Sequence, residues 1–133
     1  MTNTIKVITL TNNELTTKEI PNTLEALQHI VGGYIEIPYL SKIFFENDID
    51  MIINDEGKFI EGLKPEIAVV DNKDGKILDI VYGNCIFASH DEEGNTTSLN
   101  SYQTEIIFKE LKMIAGIRMK DSAENILVRA LFI

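Results

Sequence analysis

One cysteine and two histidines are the side chains here that could serve as nucleophile, soft metal ligand or neutral-pH base. Cys85 stands five residues before His90, in Asn84-Cys85-Ile86-Phe87-Ala88, and those apolar neighbours predict a buried, inert thiol. His29 follows Glu25 by four residues on the polar face of a helix, and His90 sits in an acidic loop. Neither has a second histidine or a thiol at the spacing of a zinc site. Gly32-Gly33 follows a helix and so meets its carbonyl end, where partial negative charge repels an anion; a helix cap is expected, not a phosphate loop. The runs starting at Asp71 and Asp91 lack the spaced oxygen ligands and closing glutamate of a calcium loop, and Lys73 holds the third position of the first. No Gly-x-Ser-x-Gly elbow occurs. No catalytic, cofactor-binding or metal residue is therefore assigned, and no cofactor is expected.

Charge is the more informative chemistry. From Glu46 to Glu93 there are 13 acidic residues against four lysines, a net −9 that equals the charge of the whole chain. From Phe108 to Ile133 five basic residues meet three acidic ones. The acidic middle repels a phosphate backbone, which argues against direct nucleic-acid binding and for a partner with a basic surface. The candidate partner-binding residues are the turn carboxylates Asp55, Glu56, Asp71, Asp74, Asp91, Glu92 and Glu93, with Ile43, Phe44 and Phe45 as an apolar anchor. Arg118, Lys120 and Arg129 are the cations that could converge on a nucleotide phosphate.

The elements that must position these residues follow from periodicity and turn chemistry. Leu24, Leu27, Ile30 and Val31 share a helical face, with Asn22 and Glu25 as a capping box and Gly32-Gly33 as the stop. Tyr34 to Leu40 predicts a strand that Pro38 confines to an edge or cuts short. Before the helix, Ile5–Leu10 and Leu15–Ile20 around Asn12-Asn13 predict a hairpin. Ser41–Glu46 is too short to classify; it is a helical turn plugging the core or an exposed contact. Ile49–Ile53 should turn at Asn54-Asp55-Glu56-Gly57 and return through Lys58-Phe59-Ile60, with Gly57 left-handed. Ile67–Val70 should turn at Asp71–Gly75 into Lys76-Ile77-Leu78, and Ile80–Ala88 suits a central strand covered on both faces. Asn100 and Gln103 start a second helix that Gly116 could end. The run from Ile126 to Ile133 is read as a buried strand, with a helix capped by Asp121 and Glu124 as the alternative. The whole predicts an α+β fold: a mixed, mainly antiparallel sheet of five to seven short strands with two helices packed on it.

At 133 residues the chain suits one domain, 1–133, long enough to bury roughly two thirds of its unfolded surface without disulfide or metal. The N-terminus lacks a charged region followed by an apolar run, and no stretch approaches the roughly 18 apolar residues of a membrane span, so a cytoplasmic protein with no membrane partner is expected.

Three blocks in order, Ile30-Val31-Gly32-Gly33-Tyr34-Ile35-Glu36, Asn54-Asp55-Glu56-Gly57-Lys58 leading into Gly62-Leu63-Lys64-Pro65, and Ile80-Val81-Tyr82-Gly83-Asn84-Cys85-Ile86, resemble the family catalogued as domain of unknown function 3846. The family-like core spans residues 1–102, with a C-terminal extension over 117–133. The resemblance implies a small protein carried by bacteriophages, plasmids and other mobile elements, with no assigned activity. Setting and acidity together predict an interaction protein that inhibits a bacterial host's nucleic-acid-handling or defence protein, of anti-CRISPR or anti-restriction type. The alternatives are a sponge for a nucleotide signal and a non-inhibitory accessory protein that forms a homo-oligomer.

Overall fold

The computed structural model describes residues 3–118 and 125–133. β1 (Thr4–Thr11) and β2 (Glu14–Pro21) form the expected hairpin, paired without a slip from Thr4↔Pro21 to Thr11↔Glu14. Asn12 and Asn13 make its turn with φ of 49° and 68°, the left-handed pair that a two-residue hairpin demands and asparagine tolerates. α1 (Leu24–Val31) starts one residue later than the anticipated box: Thr23 is the cap and accepts the Ala26 amide, while the Asn22 side chain donates to the Thr96 carbonyl. It ends at left-handed Gly32, whose amide returns to the Gln28 carbonyl.

The strand expected over Tyr34–Leu40 contracts to β3 (Ile35–Glu36), paired with the end of β4 (Ile49–Asn54), because Pro38 brings no amide to a ladder. Residues 37–41 then pass beside β4 into α2 (Lys42–Glu46), capped by the Ser41 hydroxyl on the Phe44 amide. No hairpin follows β4. Asn54 accepts the Glu56 amide and donates to the Val31 carbonyl, which turns the chain into a single 3-10 turn at Gly57–Phe59. Gly57 is needed there for space and not for a left-handed turn, since a Cβ on it would stand 2.9 Å from the Tyr82 carbonyl oxygen.

β5 (Pro65–Val70) and β6 (Ile77–Tyr82) are joined by the Asp71–Gly75 turn as anticipated. The apolar run 80–88, expected as one strand, is cut in two by Gly83 at φ 84°, and β7 (Cys85–His90) belongs to a different sheet from β6. Beyond β8 (Thr96–Thr97), α3 (Ser101–Glu110) begins with the expected capping box of Asn100 and Gln103. It stops at Leu111, short of Gly116, which lies within β9 (Lys112–Arg118) opposite Leu127. β10 (Asn125–Phe132) is a strand, parallel to β5; the helix anticipated as an alternative at Asp121 and Glu124 falls outside the described residues.

The result is α+β and mainly antiparallel, with the strands shared between two sheets of order β2-β1-β7-β4-β3, with β8 on β7, and β6-β5-β10-β9. Ile8, Leu10, Met51, Cys85 and Phe87 of the first sheet meet Ile67, Val69, Val81 and Leu131 of the second, and α3 adds Ile106 and Ile107 to the same core. α1 covers the opposite face of the first sheet with Leu27 and Val31 against Val7, Ile20, Ile52 and Ile86. Burial on both faces explains why β1 is inaccessible from Val7 to Leu10 despite alternating pleat directions.

Candidate functional site

Each sheet ends in a strand paired on one side, β3 in the first and β6 in the second, and several large exposed apolar side chains gather beside those ends. Tyr39 is 64% exposed, Phe45 66% and Phe59 86%. They line two adjoining depressions. The first, of about 220 Å³, is walled by residues 37–41, Phe44, Phe45, Ile49 and Met51, with Asp50 and His90 at its polar side. The second, of about 310 Å³, lies between the ends of β4 and β6 and is lined by Ile53, Phe59, Val81 and Tyr82 with Glu36, Asp55, Lys58 and Asp79. Pro38 and Leu40 belong to both, so the two form one trough, and a shallower hollow continues it over Ile77 and Leu78. A contiguous apolar surface of this kind, bordered by polar groups, is a candidate contact surface.

Local sequence explains how the trough is kept open. Pro38 frees residues 37–41 from the ladder, and the Ser41 cap sets a five-residue helix whose middle residue, Phe44, is buried edge-on against Phe87 with ring centroids 5.9 Å apart. Anchored there, α2 turns Ile43 and Phe45 outward, and Phe45 meets Tyr39 edge-to-face at 5.1 Å. Of the three anticipated anchor residues, then, Phe44 serves the core while Ile43 and Phe45 face solvent. The core-plug alternative for Ser41–Glu46 describes Phe44, while Ile43 and Phe45 are the exposed part of the same helix.

The charged border is mostly acid. Lys58 is engaged by Asp79, and Lys42 by Glu46 at 3.7 Å. His90, the last residue of β7 and not a loop residue, lies between two carboxylates: Nδ1 is 3.1 and 3.0 Å from the two oxygens of Asp50, and Nε2 is 3.5 Å from Oδ1 of Asp48. The β4–β7 register, Asp50↔Ala88, puts His90 diagonal to Asp50 on the same pleat face. Sequence gave one local hint, the Asp48-x-Asp50 alternation; the pairing itself spans 40 residues. Cys85 lies at the other end of β7, and the odd separation sends it to the opposite face. Burial pushes its thiol well above the usual range, with Glu66 adding to the effect.

The anticipated carboxylates are not gathered on one patch. Asp55 and Glu56 follow β4, whereas Asp91, Glu92 and Glu93 follow β7 and so stand at the opposite end of the same antiparallel ladder. Asp71 and Asp74 occupy the β5–β6 turn. Three of the seven hold turns: Asp71 accepts the Lys73 amide, Asp74 the Lys76 amide, and Asp91 the amides of Glu93 and Asn95. Hydrogen bonding to the Asn95 backbone, helped by that residue's side chain, holds the Asp91 carboxyl below its usual range. Among the described residues, the side chains of Asp55, Glu56, Glu92 and Glu93 enter no hydrogen bond or ion pair. Asp55 lines the second depression, and the turn of Asp91 to Glu93 directly follows His90 of the first.

Of the three cations considered for a nucleotide, Arg129 is turned inward, with Nε donating to the Asn13 carbonyl and Nη1 to that of Leu111. Lys120 and the side chain of Arg118 lie outside the described residues. Among those described, no group of three histidine, cysteine, aspartate or glutamate side chains is arranged to hold a metal ion, and no helix is long and apolar enough to cross a membrane.

Fold and face together define a small two-sheet α+β protein with an open, acid-bordered apolar trough. The chain matches the family model described as "Domain of unknown function (DUF3846)" over residues 5–112, and it belongs to that family. No curated protein and no solved structure matches it.

Proposed function

We propose that the chain is an interaction protein encoded by a mobile element, which inhibits a host nucleic-acid-handling or defence protein of the CRISPR or restriction type by occupying a basic surface of it. The observation that carries this reading is the coincidence in one trough of exposed aromatic side chains, Tyr39, Phe45 and Phe59, with two carboxylates, Asp50 and Asp55, that pair with no lysine or arginine among the described residues. Net charge steers a cationic partner toward the molecule and raises the association rate; the aromatic trough then slows dissociation by burying apolar area. Acid and aromatic groups of one trough, rather than a string of turn carboxylates standing in for phosphates, make this contact. Bacteriophage or plasmid origin, implied by the resemblance, fits an inhibitor of host defence, and such a protein acts in the host cytoplasm.

Inward-turned Arg129 removes one of the cations on which a nucleotide sponge would depend, which favours protein contact over that reading.

The test is a cleavage assay with purified CRISPR effectors and restriction endonucleases. Added protein should inhibit at least one of them, less so at high salt, and Phe45→Ser or Phe59→Ser should abolish the inhibition without unfolding the chain. A chain that leaves every nuclease active, or inhibits equally well with both aromatics replaced, removes this reading.

A further inference from the structure

We propose that the first depression is a guanidinium pocket, taking an arginine side chain from the partner; the inference rests on the interaction reading and names the group that the trough selects.

Three features meet there. Tyr39 and Phe45 stand edge-to-face with two thirds of each surface open, an arrangement that leaves ring face free for a cation. At the polar side, Asp50 and Asp48 share one imidazole, so the trio keeps a net negative charge whether the His90 ring is neutral or protonated. The third feature is spare acceptor capacity: an ionised carboxylate offers about four lone-pair sites, and among the described residues a single ring nitrogen of His90 meets Asp50.

The same features discriminate among occupants. An aliphatic side chain would fill the apolar walls but cover Asp50 without giving its carboxylate a partner, a desolvation cost with no return. An ammonium would supply the charge but is strongly hydrated and a point donor. A guanidinium is planar, weakly hydrated, donates a fork that suits a carboxylate, and stacks on aromatic faces. A partner surface built to hold nucleic-acid phosphates is rich in such side chains.

Short peptides alike except for one central residue test this by NMR titration: arginine, its neutral isostere citrulline, lysine and norleucine. The arginine peptide should bind at least about tenfold tighter than the citrulline and norleucine peptides, and measurably tighter than the lysine peptide. Asp50→Asn should erase the advantage over citrulline. His90→Gln leaves both carboxylates in place and removes their internal partner, so it should strengthen arginine binding; this variant decides the matter if Asp50→Asn fails to fold. Equal binding of arginine and norleucine would make the depression an apolar anchor and overturn the assignment, as would equal binding of lysine or the absence of binding by any peptide. Inhibition in the nuclease assay could survive each of those results, so the two proposals fail separately.

Discussion

Glu66 is the residue on which packing and charge conflict most directly. It is 4% exposed, yet its carboxylate accepts the Asn13 amide at 2.8 Å where the β1–β2 turn meets the second sheet. Burial raises its carboxyl above the ordinary glutamate value; the hydrogen bonds from the Asn13 and Asn12 backbones and the charges of Lys64 and Arg129 offset only part of that. The folded protein therefore holds this proton more tightly than the unfolded chain does. Its contribution to stability is complete below the unfolded value of 4.5 and is lost as pH rises through the raised folded value. Glu66→Gln keeps an acceptor for Asn13 and cannot ionise, so the variant should gain on the wild type as pH increases. Urea unfolding of both proteins from acid to neutral pH measures the difference, and a gap that does not change with pH would refute it. Phe87 is governed by packing alone: it is fully buried beneath Phe44, and Phe87→Ala should cost about 3–5 kcal/mol in the same experiment.

Elements were legible where their signals are local. The β1–β2 hairpin was written in Asn12-Asn13, and α3 in Asn100 and Gln103, whose reciprocal bonds measure 2.8 and 2.9 Å. Asn100→Ala should accordingly cost about 1 kcal/mol, read as a lowered unfolding midpoint with no change in cooperativity. What sequence concealed depends on contacts distant along the chain. Ile80 to Ala88 looks like one strand because every residue but Gly83 and Asn84 suits a strand. The break is set by Gly83 in a left-handed conformation, with its amide on the Lys64 carbonyl. A Cβ there would lie 3.1 Å from a methyl group of Leu63, so Gly83→Ala combines backbone strain with a tight contact and should destabilise by roughly 1–3 kcal/mol. The candidate site was half visible for the same reason. Ile43, Phe44 and Phe45 were visible together as an apolar run, but which of them is buried, and the partnership of His90 with Asp48 and Asp50, required contacts such as the β4–β7 register, which neither strand specifies by itself.

At the scale of the molecule, a net charge of −9 on 133 residues carries a cost that the fold does not remove. Only a few lysines are drawn into pairs, Lys58 with Asp79 and Lys42 with Glu46 among the described residues, and these pairs are largely exposed. Self-repulsion of this kind lowers stability at low ionic strength and is screened within a Debye length of roughly 10 Å at 0.1 M salt. Carboxylates that hold turns return something for that cost; those that enter no hydrogen bond or ion pair among the described residues do not. Replacing Glu92 and Glu93 together by glutamine should therefore raise the unfolding midpoint at low salt, and the gain should shrink as salt is added. Asp91→Asn should not share the gain, because its carboxylate accepts the Glu93 and Asn95 amides in its own turn. If the charge serves a basic partner, the Glu92/Glu93 variant should also associate more slowly with that partner while dissociating at an unchanged rate, since exposed border charges act on encounter and not on the seated complex. Stopped-flow association at two salt concentrations separates these effects. A variant that is more stable yet binds as fast as the wild type would mean that the acidity of this turn serves solubility alone.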